Sequence, residues 1–597
     1  MSSPSFIQVI LPLRLEWEPY YRCDAPVAPG DRVEVPLSGK TYIGVVSATG
    51  VTPDVSGVKP VLSTETGLEK VLPEELALWR RMASYYLCTL GEIYRAAYPA
   101  SVTEEEEKAL QQRARQEERL AAKEAELGKT RPGTKKEAAL REGIARLRTQ
   151  LGLDGVSDPE PVRITGNGDS PAVRSVREAF AAGRTVLLEA PDDAQRIGIY
   201  RELARETLSR GKNVLWLVPT PAHVRQIEPA VREAFPDALF HDSTCSAAAR
   251  RKNAAALRGA AGSTLVAGTR QALLLPHRNL GLVIIDNEQH KAYKQESPAP
   301  RYNGRDTALM LSRLQGACAI LGSPTPSLDA LHNARTGRFC RILLPSSAPQ
   351  GGLLLIGTAE ERRKRGMDGE LSFKLLSAVR DTLEQGRSVV VLLSRKSYDP
   401  EGRVAARLRE LFPSGVTVGD PGMVTGADLR DVGLIALLFA DALLADDDYR
   451  ADERALQLLR QLRAKGPLAV QAKDTTHPVF AALASGDTAA LMQERESFGY
   501  PPFSRMVRIA VRDPLPKRLD YLSGRLAAAL SAALGGNRVA GPYTPSRNEG
   551  GTLRHIRILL PRDRELESRK QCLLETLRNF EKELKYPGHI YIDVDPA

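Results

Sequence analysis

The turn at residues 190–193 lies where nucleotide-hydrolysing proteins hold phosphate. The apolar run 184–189 predicts a buried strand before it, a helical segment follows at 195–209, and a second strand is predicted at 213–218. In that layout, glycines let backbone N–H groups close around the anion, and a Lys-Ser/Thr pair completes the site. This turn reads Ala-Pro-Asp-Asp, so two carboxylates stand where phosphate binding requires N–H donors and a cation.

Two adjacent carboxylates change what the turn can do. Like charges about 4 Å apart cost on the order of 4 kcal/mol at an effective dielectric near 20, so Asp192 and Asp193 are expected to repel a triphosphate. Aspartates also begin helices well, because they accept hydrogen bonds from the first free N–H groups and suit the positive helix end. We therefore predict that both residues cap the following helix and bind no new ligand.

The bulk composition is that of a globular, multidomain protein. The chain has 597 residues, with 42% hydrophobic residues and a mean hydropathy of −0.27, and this length allows about 3 to 5 domains. No apolar run approaches the roughly 20 residues that span a bilayer, and the N-terminus lacks the layout of a signal peptide. The six cysteines form no CxxC pair, which argues against a disulfide framework and a zinc site. These features predict a cytoplasmic protein.

Positive charge is concentrated near the C-terminus. The net charge is +10, and residues 498–597 contain 17 Lys and Arg against 11 Asp and Glu. An arginine-rich surface suits a partner with a phosphate backbone, and an ordinary solvated basic surface would have the same composition.

The chain changes character several times along its length. Strands alternate with helices through its middle, which is typical of α/β lobes built on parallel sheets. The predicted units are a β-rich N-terminal domain (1–100), a charged helical arm (101–168), two α/β lobes (169–348 and 349–475) and an α+β C-terminal domain (476–597).

Several strings occur in an order that points to one family. They include VAPGDRVEVPLSGKTYIGVV near the start, then GTRQALLLPHRNLGLVIIDNEQHKAYKQ, LGSPTPSLDAL, LLSRKSY, YRADERALQLL, YPPFSRMVRIAV and IDVDP. With these strings the chain resembles the PriA family of replication-restart helicases, also called primosomal protein N′. The resemblance runs from end to end and is weakest over 101–165, where the family carries a winged helix.

The resemblance implies two RecA-like helicase lobes with an ATP site. The family's phosphate loop falls on residues 190–197, so Arg196 replaces its lysine and Ile197 replaces its Mg²⁺-binding threonine. Asp286 matches the family's metal-binding acid and could still hold Mg²⁺, whereas Asn287 replaces the glutamate that polarises the attacking water. Because an amide cannot accept that proton, we predict no catalytic residue and a vestigial nucleotide site at Arg196 and Asp286.

Motifs of the second lobe are eroded as well. No arginine of the segment 460–465 can be assigned as an arginine finger, and the family's cysteine-rich zinc insertion is missing after LLSRKSYDPEG. We expect no cofactor: no zinc, and ATP with Mg²⁺ only if hydrolysis has survived these losses. In the family's GTQMIAKGHDFPNV motif the matching residues are Gly419, Gly426, Asp428 and Val432.

Three groups of residues are predicted to contact DNA. The first matches the family's 3′-end pocket, with a tyrosine in place of its acidic residue. The second resembles the family's aromatic-rich loop, where rings beside cations suit base stacking and phosphate contact, and the third is a basic strand whose arginines are expected to share one face. In that order they are Tyr20, Gly39 and Lys59; Tyr293, Lys294, Arg301, Tyr302 and Arg305; and Arg505, Arg508 and Arg512.

Each of the last two groups has a structural alternative. The loop tyrosines and the Arg305–Asp306 pair could merely pin the loop to the lobe. The arginines of the basic strand could simply form the solvent-exposed face of an edge strand.

Broken motor motifs beside recognisable DNA-facing segments predict a bacterial, nucleoid-associated PriA-like protein. We expect it to bind forked or single-stranded DNA and to scaffold primosome assembly without ATP hydrolysis. Through the resemblance, single-strand-binding protein and the machinery that loads the replicative helicase are expected partners, and no membrane is. Two alternatives stay open: an active ATP-dependent 3′–5′ helicase in which Arg196 serves as the lysine, and a scaffold that recruits those proteins without touching DNA.

Overall fold

The computed structural model describes residues 5–99, 170–259, 262–345, 351–364, 366–394, 402–424, 431–445, 448–545, 552–584 and 589–596, with eight single helical positions between 119 and 144. The predicted charged arm at 101–168 therefore lies almost wholly outside the described residues. Within these ranges, no helix is both long enough and apolar enough to cross a membrane.

The N-terminal unit is a small antiparallel sheet with strands in the order β2-β1-β4-β3-β5. The segment before β5 lies next to β2 and is held there by two backbone hydrogen bonds of 2.9 Å. The Arg22 N–H donates to the Lys59 carbonyl, and the Val61 N–H donates to the Arg22 carbonyl. Apolar side chains at alternate strand positions fill the interior. The strands are β1 Ser5–Ile10, β2 Tyr20–Cys23, β3 Arg32–Leu37, β4 Lys40–Thr49 and β5 Ser63–Thr64.

Two helices attach this sheet to the next unit. Helix α1 (Pro73–Tyr86) begins with a proline, which suits the first helical position, and is followed by the C-cap residue Leu87, whose φ of 54° is left-handed. Helix α2 (Leu90–Ala97) starts with a capping box between Thr89 and Glu92. The hydroxyl of Tyr86 donates to the Asn303 carbonyl at 3.1 Å, so α1 joins the N-terminal sheet to the first lobe.

The first lobe is a parallel sheet with helices on both faces. Its strand order is β12-β6-β11-β10-β7-β9-β8. Its central strands are buried on both faces, as expected for apolar runs in a parallel sheet. The strands are β6 Thr185–Glu189, β7 Asn213–Leu217, β8 Leu239–His241, β9 Leu265–Gly268, β10 Leu280–Asp286, β11 Cys318–Ser323 and β12 Phe339–Leu343. The helices are α3 Pro171–Ala181, α4 Asp193–Ser209, α5 Pro221–Ala234, α6 Ala247–Gly259, α7 Gly304–Gln315 and α8 Leu328–Arg335, with 3₁₀ turns at Arg270–Leu274 and Lys291–Tyr293.

The second lobe is a smaller parallel sheet in the order β13-β19-β18-β16-β17. A short hairpin, β14 with β15, precedes its second helix. The strands are β13 Leu353–Gly357, β14 Met367–Asp368, β15 Leu371–Ser372, β16 Ser388–Leu393, β17 Val416–Gly419, β18 Val432–Leu438 and β19 Leu468–Ala472. The helices are α9 Thr358–Lys364, α10 Phe373–Glu384, α11 Arg403–Leu411, α12 Ala451–Lys465, α13 Pro478–Ser485 and α14 Ala489–Ser497, with 3₁₀ turns at Pro421–Val424 and Ala440–Leu443.

The C-terminal unit has the βαββαβ order of a ferredoxin-like fold. Its antiparallel sheet runs β21-β22-β20-β23, so β20 is an interior strand. Both long helices pack on one face of the sheet, and the other face carries polar and aromatic side chains. The elements are β20 Ser504–Arg512, α15 Pro516–Leu534, a 3₁₀ turn at Gly536–Arg538, β21 Val539–Tyr543, β22 Leu553–Pro561, α16 Leu566–Leu584 and β23 His589–Val594.

The two lobes touch directly. Leu328, the first residue of α8 in the first lobe, is buried in the hydrophobic core of the second lobe. The predicted fold class is confirmed by the β-rich N-terminal sheet, the two parallel sheets and the α+β C-terminal unit. The boundaries between the predicted units stay predictions.

Candidate functional site

The turn before α4 is a helix cap. Asp192 is the N-cap residue, and its Oδ1 accepts from the Ala194 N–H at 2.8 Å. Asp193 is the first helical residue, where a negative charge suits the positive helix end. The predicted capping role is confirmed, and the N–H group that could have faced phosphate already has an internal acceptor.

Arg196 fills the space beneath this cap. Its side chain is 0% exposed, and its guanidinium donates to three acceptors from two separate parts of the lobe. Nε donates to Asp286 Oδ1 at 2.8 Å, Nη1 donates to the Ala190 carbonyl at 2.7 Å, and Nη2 pairs with Asp193. Burial alone would lower the pKa of Arg196, but the Asp286 and Asp193 carboxylates raise it, so the side chain is a permanent internal cation.

Asp286 is equally occupied at the end of β10. Its Oδ1 accepts from Arg196 and from the hydroxyl of Tyr200 at 2.9 Å, and its Oδ2 accepts from the Asn287 amide at 3.1 Å. Both carboxylate oxygens of Asp286 therefore already accept hydrogen bonds from protein donors, and its binding of Mg²⁺ stays a prediction. Arg196 and Asp286, the residues predicted as a vestigial nucleotide site, form a buried ion pair.

Tyr200 is a site residue that sequence reasoning missed. Its buried ring meets Trp216 edge-on at 5.4 Å, and burial raises the pKa of its hydroxyl well above the usual value. A side chain at Gly322 would collide with that hydroxyl, so glycine is required on the neighbouring strand β11. No local signal links these residues, since they meet only when the strands pair.

The two residues predicted for the nucleotide site are bonded to each other. Arg196 Nε lies 2.8 Å from Asp286 Oδ1, and the neighbouring Ile197 offers no ligand oxygen. Among the described residues, no three His, Cys, Asp or Glu side chains are grouped to hold a metal ion.

Two histidines lie beside this pocket without adding positive charge. The rings of His223 and His290 meet edge-on with centroids 5.6 Å apart. Their Nδ1 atoms contact Thr220 Oγ1 at 2.7 Å and the Ala292 N–H at 3.1 Å. Burial lowers the pKa of both, that of His290 to about 4, so both are neutral near pH 7.

Charged side chains also close the junction between the lobes. Glu288, next to the pocket, accepts from Arg305 at 3.1 Å and from the Ser327 hydroxyl at 2.9 Å. One residue further, the Leu328 N–H donates across the junction to Glu453 at 2.8 Å. Glu453 in turn pairs with Arg495 at 2.7 Å, so residues 327 and 328 link two buried ion pairs, one in each lobe.

Two arginines of α12, Arg460 and Arg463, donate to backbone carbonyls of the second lobe. Arg460 donates to the Gly486 carbonyl at 2.8 Å, and Arg463 donates to the Leu483 carbonyl at 2.7 Å. Burial lowers the pKa of Arg460, while Glu189 of the first lobe raises it, and the absence of an arginine finger stays a prediction. The predicted motif residues Gly426 and Asp428 lie outside the described residues, as does the segment 395–401, where the zinc insertion is predicted to be missing.

The two tyrosines of the aromatic-rich loop are interior residues. Tyr293 and Tyr302 are each 1% exposed. The Tyr293 hydroxyl donates to the Asp286 carbonyl at 2.6 Å, and the Tyr302 hydroxyl donates to the Arg270 carbonyl at 3.0 Å. DNA bases cannot stack on two buried rings, so the predicted stacking role of Tyr293 and Tyr302 is wrong. Their contacts match the alternative, in which the two tyrosines pin the loop to the lobe.

The basic residues of the same loop are also engaged. Lys294 pairs with Asp593 at 2.8 Å and donates to the Val594 carbonyl at 2.6 Å, which fastens the loop to the C-terminal sheet. Arg305 is held by Glu288 and Asp306, so its predicted DNA contact is also corrected. Arg301 is half-buried, with its guanidinium 4.8 Å from the ring centre of Tyr591.

The arginines of β20 do not share one face. Residues 505 and 508 are three apart, and successive strand residues alternate, so Arg505 lies opposite to Arg508 and Arg512. Arg505 is buried, with its guanidinium 3.7 Å from the ring centre of Tyr85 and 3.9 Å from Asp595. Arg508 pairs with Asp593 at 2.7 Å, and Arg512 is exposed. The strand also lies inside the sheet, which corrects its reading as an edge.

The predicted 3′-end residues are only partly brought together. Tyr20 lies across from Gln8 on β1, and the Lys59 backbone joins the same edge of the sheet through Arg22. Gly39 forms the β3–β4 turn with a φ of 79°, at the opposite end of β4 from the residues level with Tyr20. Lys59 and Gly39 are exposed, and their contact with DNA stays a prediction.

Two known family models match this chain, one near each end. Residues 8–99 match the family model described as the PriA 3′ DNA-binding domain, and residues 496–597 match the primosomal protein N C-terminal domain. The replication restart protein PriA of Rickettsia felis is 22% identical over 95% of this chain and 95% of its own length. PriA of Chlamydia pneumoniae is 25% identical over 58% of this chain and 60% of its own.

Solved helicase structures resemble part of the chain. The DUF1998 helicase MrfA bound to DNA has a TM-score of 0.35 and 12% identity, covering 56% of this chain and 52% of that one. RecG bound to a three-way DNA junction has a TM-score of 0.35 and 14% identity, covering 60% and 54%. The chain thus spans about half the length of each helicase.

Proposed function

Since the chain belongs to the family of the replication restart protein PriA, we propose that it binds forked or single-stranded DNA and scaffolds replication restart without hydrolysing ATP. The family membership rests on the two terminal family models and on relatives that match along nearly the whole chain. We extend the proposal to single-strand-binding protein and the replicative helicase loader as recruited partners.

The observation that carries the loss of hydrolysis is the Arg196–Asp286 ion pair. Hydrolysis requires a cation on the phosphates and a carboxylate on the metal at the same time. Here each of these groups neutralises the other inside the lobe at 2.8 Å. A nucleotide would have to separate a buried pair and leave both charges desolvated, which costs several kcal/mol before any phosphate contact forms.

Steady-state phosphate release tests this directly. The purified chain is assayed with saturating forked DNA beside Asp286→Asn, which keeps the side-chain shape but removes the charge. We expect equal, background rates and no binding of a fluorescent ATP analogue. DNA-stimulated turnover that disappears in Asp286→Asn would refute the loss of hydrolysis and favour an active helicase.

Fork binding is tested through its salt dependence. Several Lys/Arg–phosphate contacts predict an affinity that falls steeply between about 50 and 200 mM salt. Fluorescence anisotropy of a labelled fork measures this slope. A chain that recruits proteins without touching DNA would show no salt-sensitive fork binding, and that result would overturn the DNA part of the proposal.

A further inference from the structure

The open face of the C-terminal sheet has an unusual composition. On β20 and β22, Arg508 lies directly opposite Arg557, and Ala510 lies opposite His555. The next strand places Tyr543 opposite His555. The helices cover the other face, so these side chains are not part of the core of the unit. Two facing arginines repel each other, and only Arg508 of this pair has a carboxylate partner, Asp593, among the described ion pairs.

Aromatic rings continue this row beyond the sheet. The ring centre of Tyr500 lies 5.3 Å from the guanidinium carbon of Arg557 and 6.1 Å from the ring centre of Phe498. Phe498 is 61% exposed, although phenylalanine is normally buried, and Tyr543 is 38% exposed. We call this set the aromatic–arginine strip, which comprises Phe498, Tyr500, Arg508, Tyr543, His555 and Arg557.

One donor in the strip lacks an acceptor. Arg557 Nε is buried and has no hydrogen-bond partner among the described residues. Arg508 has Asp593, but that carboxylate is shared with Lys294, so the local charge remains positive. The Arg557 side chain as a whole is partly exposed, and an anion beside its guanidinium would reduce the repulsion between the two arginines.

We propose that the aromatic–arginine strip binds single-stranded DNA, with unpaired bases stacked on Tyr543 and Phe498 and a phosphate on Arg557. Exposed rings interleaved with arginines bind single strands, because every base has a face that can stack and every linkage carries a negative charge. A duplex hides those base faces, so it would use only the arginines. This inference rests on the DNA binding proposed above and specifies where unpaired bases are held.

The test compares two oligonucleotides of equal charge. Binding of a labelled 12-nucleotide oligothymidylate and of an abasic strand of the same length is measured by anisotropy with the full chain. Tyr543→Ala is expected to weaken the thymidylate about tenfold and to leave the abasic strand unchanged. Tyr543→Phe should bind like the parent, because it keeps the ring.

The arginine has its own signature. Arg557→Gln is expected to weaken both strands and to reduce the salt slope by about 0.7, the value for one phosphate contact on a single strand. Matched controls come from the helical layer of the same unit. There Tyr521 is 61% exposed with Arg525 beside it, and Tyr521→Ala and Arg525→Gln should change neither affinity.

The outcomes separate this inference from the proposed function. If Tyr543→Ala, folded by circular dichroism, binds both strands like the parent while forks still bind, the strip is not the site and DNA binding stands. If Tyr543→Ala weakens both strands equally, stacking is excluded. If the parent chain binds neither strand nor fork at low salt, both proposals fail.

Discussion

Replacing Arg196 by methionine tests whether the former phosphate position is now a structural ion pair. Methionine keeps much of the length and the apolar stem but removes three donated hydrogen bonds. Asp286 would keep Tyr200 and Asn287 as donors and lose its only cationic partner among the described residues.

The expected cost follows from the burial of the pair. Arg196 is fully buried and the Asp286 side chain is 6% exposed, so water cannot replace the lost partner. Breaking a buried pair by removing one member typically costs about 3–5 kcal/mol, and Arg196→Met should fall in that range. Removing both charges in Arg196→Met with Asp286→Asn should restore all but about 1 kcal/mol, because no unpaired charge remains.

Trp216 provides a local readout for this cycle. Its ring lies 5.4 Å from Tyr200, inside the same lobe. Urea unfolding is followed by tryptophan fluorescence after Trp17 and Trp79 have been replaced by phenylalanine, so that the signal reports the first lobe. The single variants and the double variant then give the coupling energy between residues 196 and 286.

A coupling energy below about 1 kcal/mol would refute this reasoning, because a pair that excludes nucleotide by internal neutralisation must be strongly coupled. The same would follow if Arg196→Met unfolded at the urea concentration of the parent. The side chain would then be a replaceable filler, and the closed pocket would need another explanation.

Three further predictions follow from buried charges elsewhere. Burial lowers the pKa of His277 to about 4, so stability should fall by about 3 kcal/mol as the pH drops from 6.5 to 4, and His277→Gln should flatten that loss in urea titrations at pH 7 and 4.5. Burial raises the pKa of Glu75 to about 7, so protonated Glu75 stabilises the fold. This contribution to the free energy of unfolding is fully present below about pH 4.5 and is lost as the pH rises through 7. Glu75→Gln should remove this decline, as measured by Trp79 fluorescence during urea unfolding. Glu453→Ala should cost about 3 kcal/mol by leaving Arg495 buried without its carboxylate, which calorimetry detects as a lower unfolding midpoint.

Local features of the site were predictable from the sequence. Asp192 caps α4 because an aspartate placed before a helix meets free N–H groups within two residues, and no distant contact is needed. The strands around it were also placed within about two residues, since continuous apolar runs of strand length leave few alternatives.

Features that depend on distant contacts were not predictable. The partner of Arg196 lies 90 residues away, and only the pairing of β6, β11 and β10 brings the two together. The direction in which Tyr293 and Tyr302 point depends on the packing of their loop, so an aromatic–basic pattern fits a DNA contact and an internal clasp equally well.

The arginines of β20 are a different case. Their spacing of three and four residues already separates Arg505 from the other two under strand alternation, so the sequence itself contained the answer. Whether β20 was an edge or an interior strand did require the topology, because β23 pairs with it from the far end of the chain.

Under the proposed function, an arginine at position 196, where the resemblance implies a lysine, has a definite geometric consequence. A lysine is a point charge with three donors on one atom, whereas a guanidinium donates in fixed, divergent directions. Arg196 uses that geometry to reach a carboxylate on β10, the carbonyl of Ala190 and the first helical residue at once. One side chain thereby occupies the phosphate position and neutralises the metal position. Restoring lysine alone would therefore leave Asp193 and Ile197 in place and would not recreate a nucleotide site.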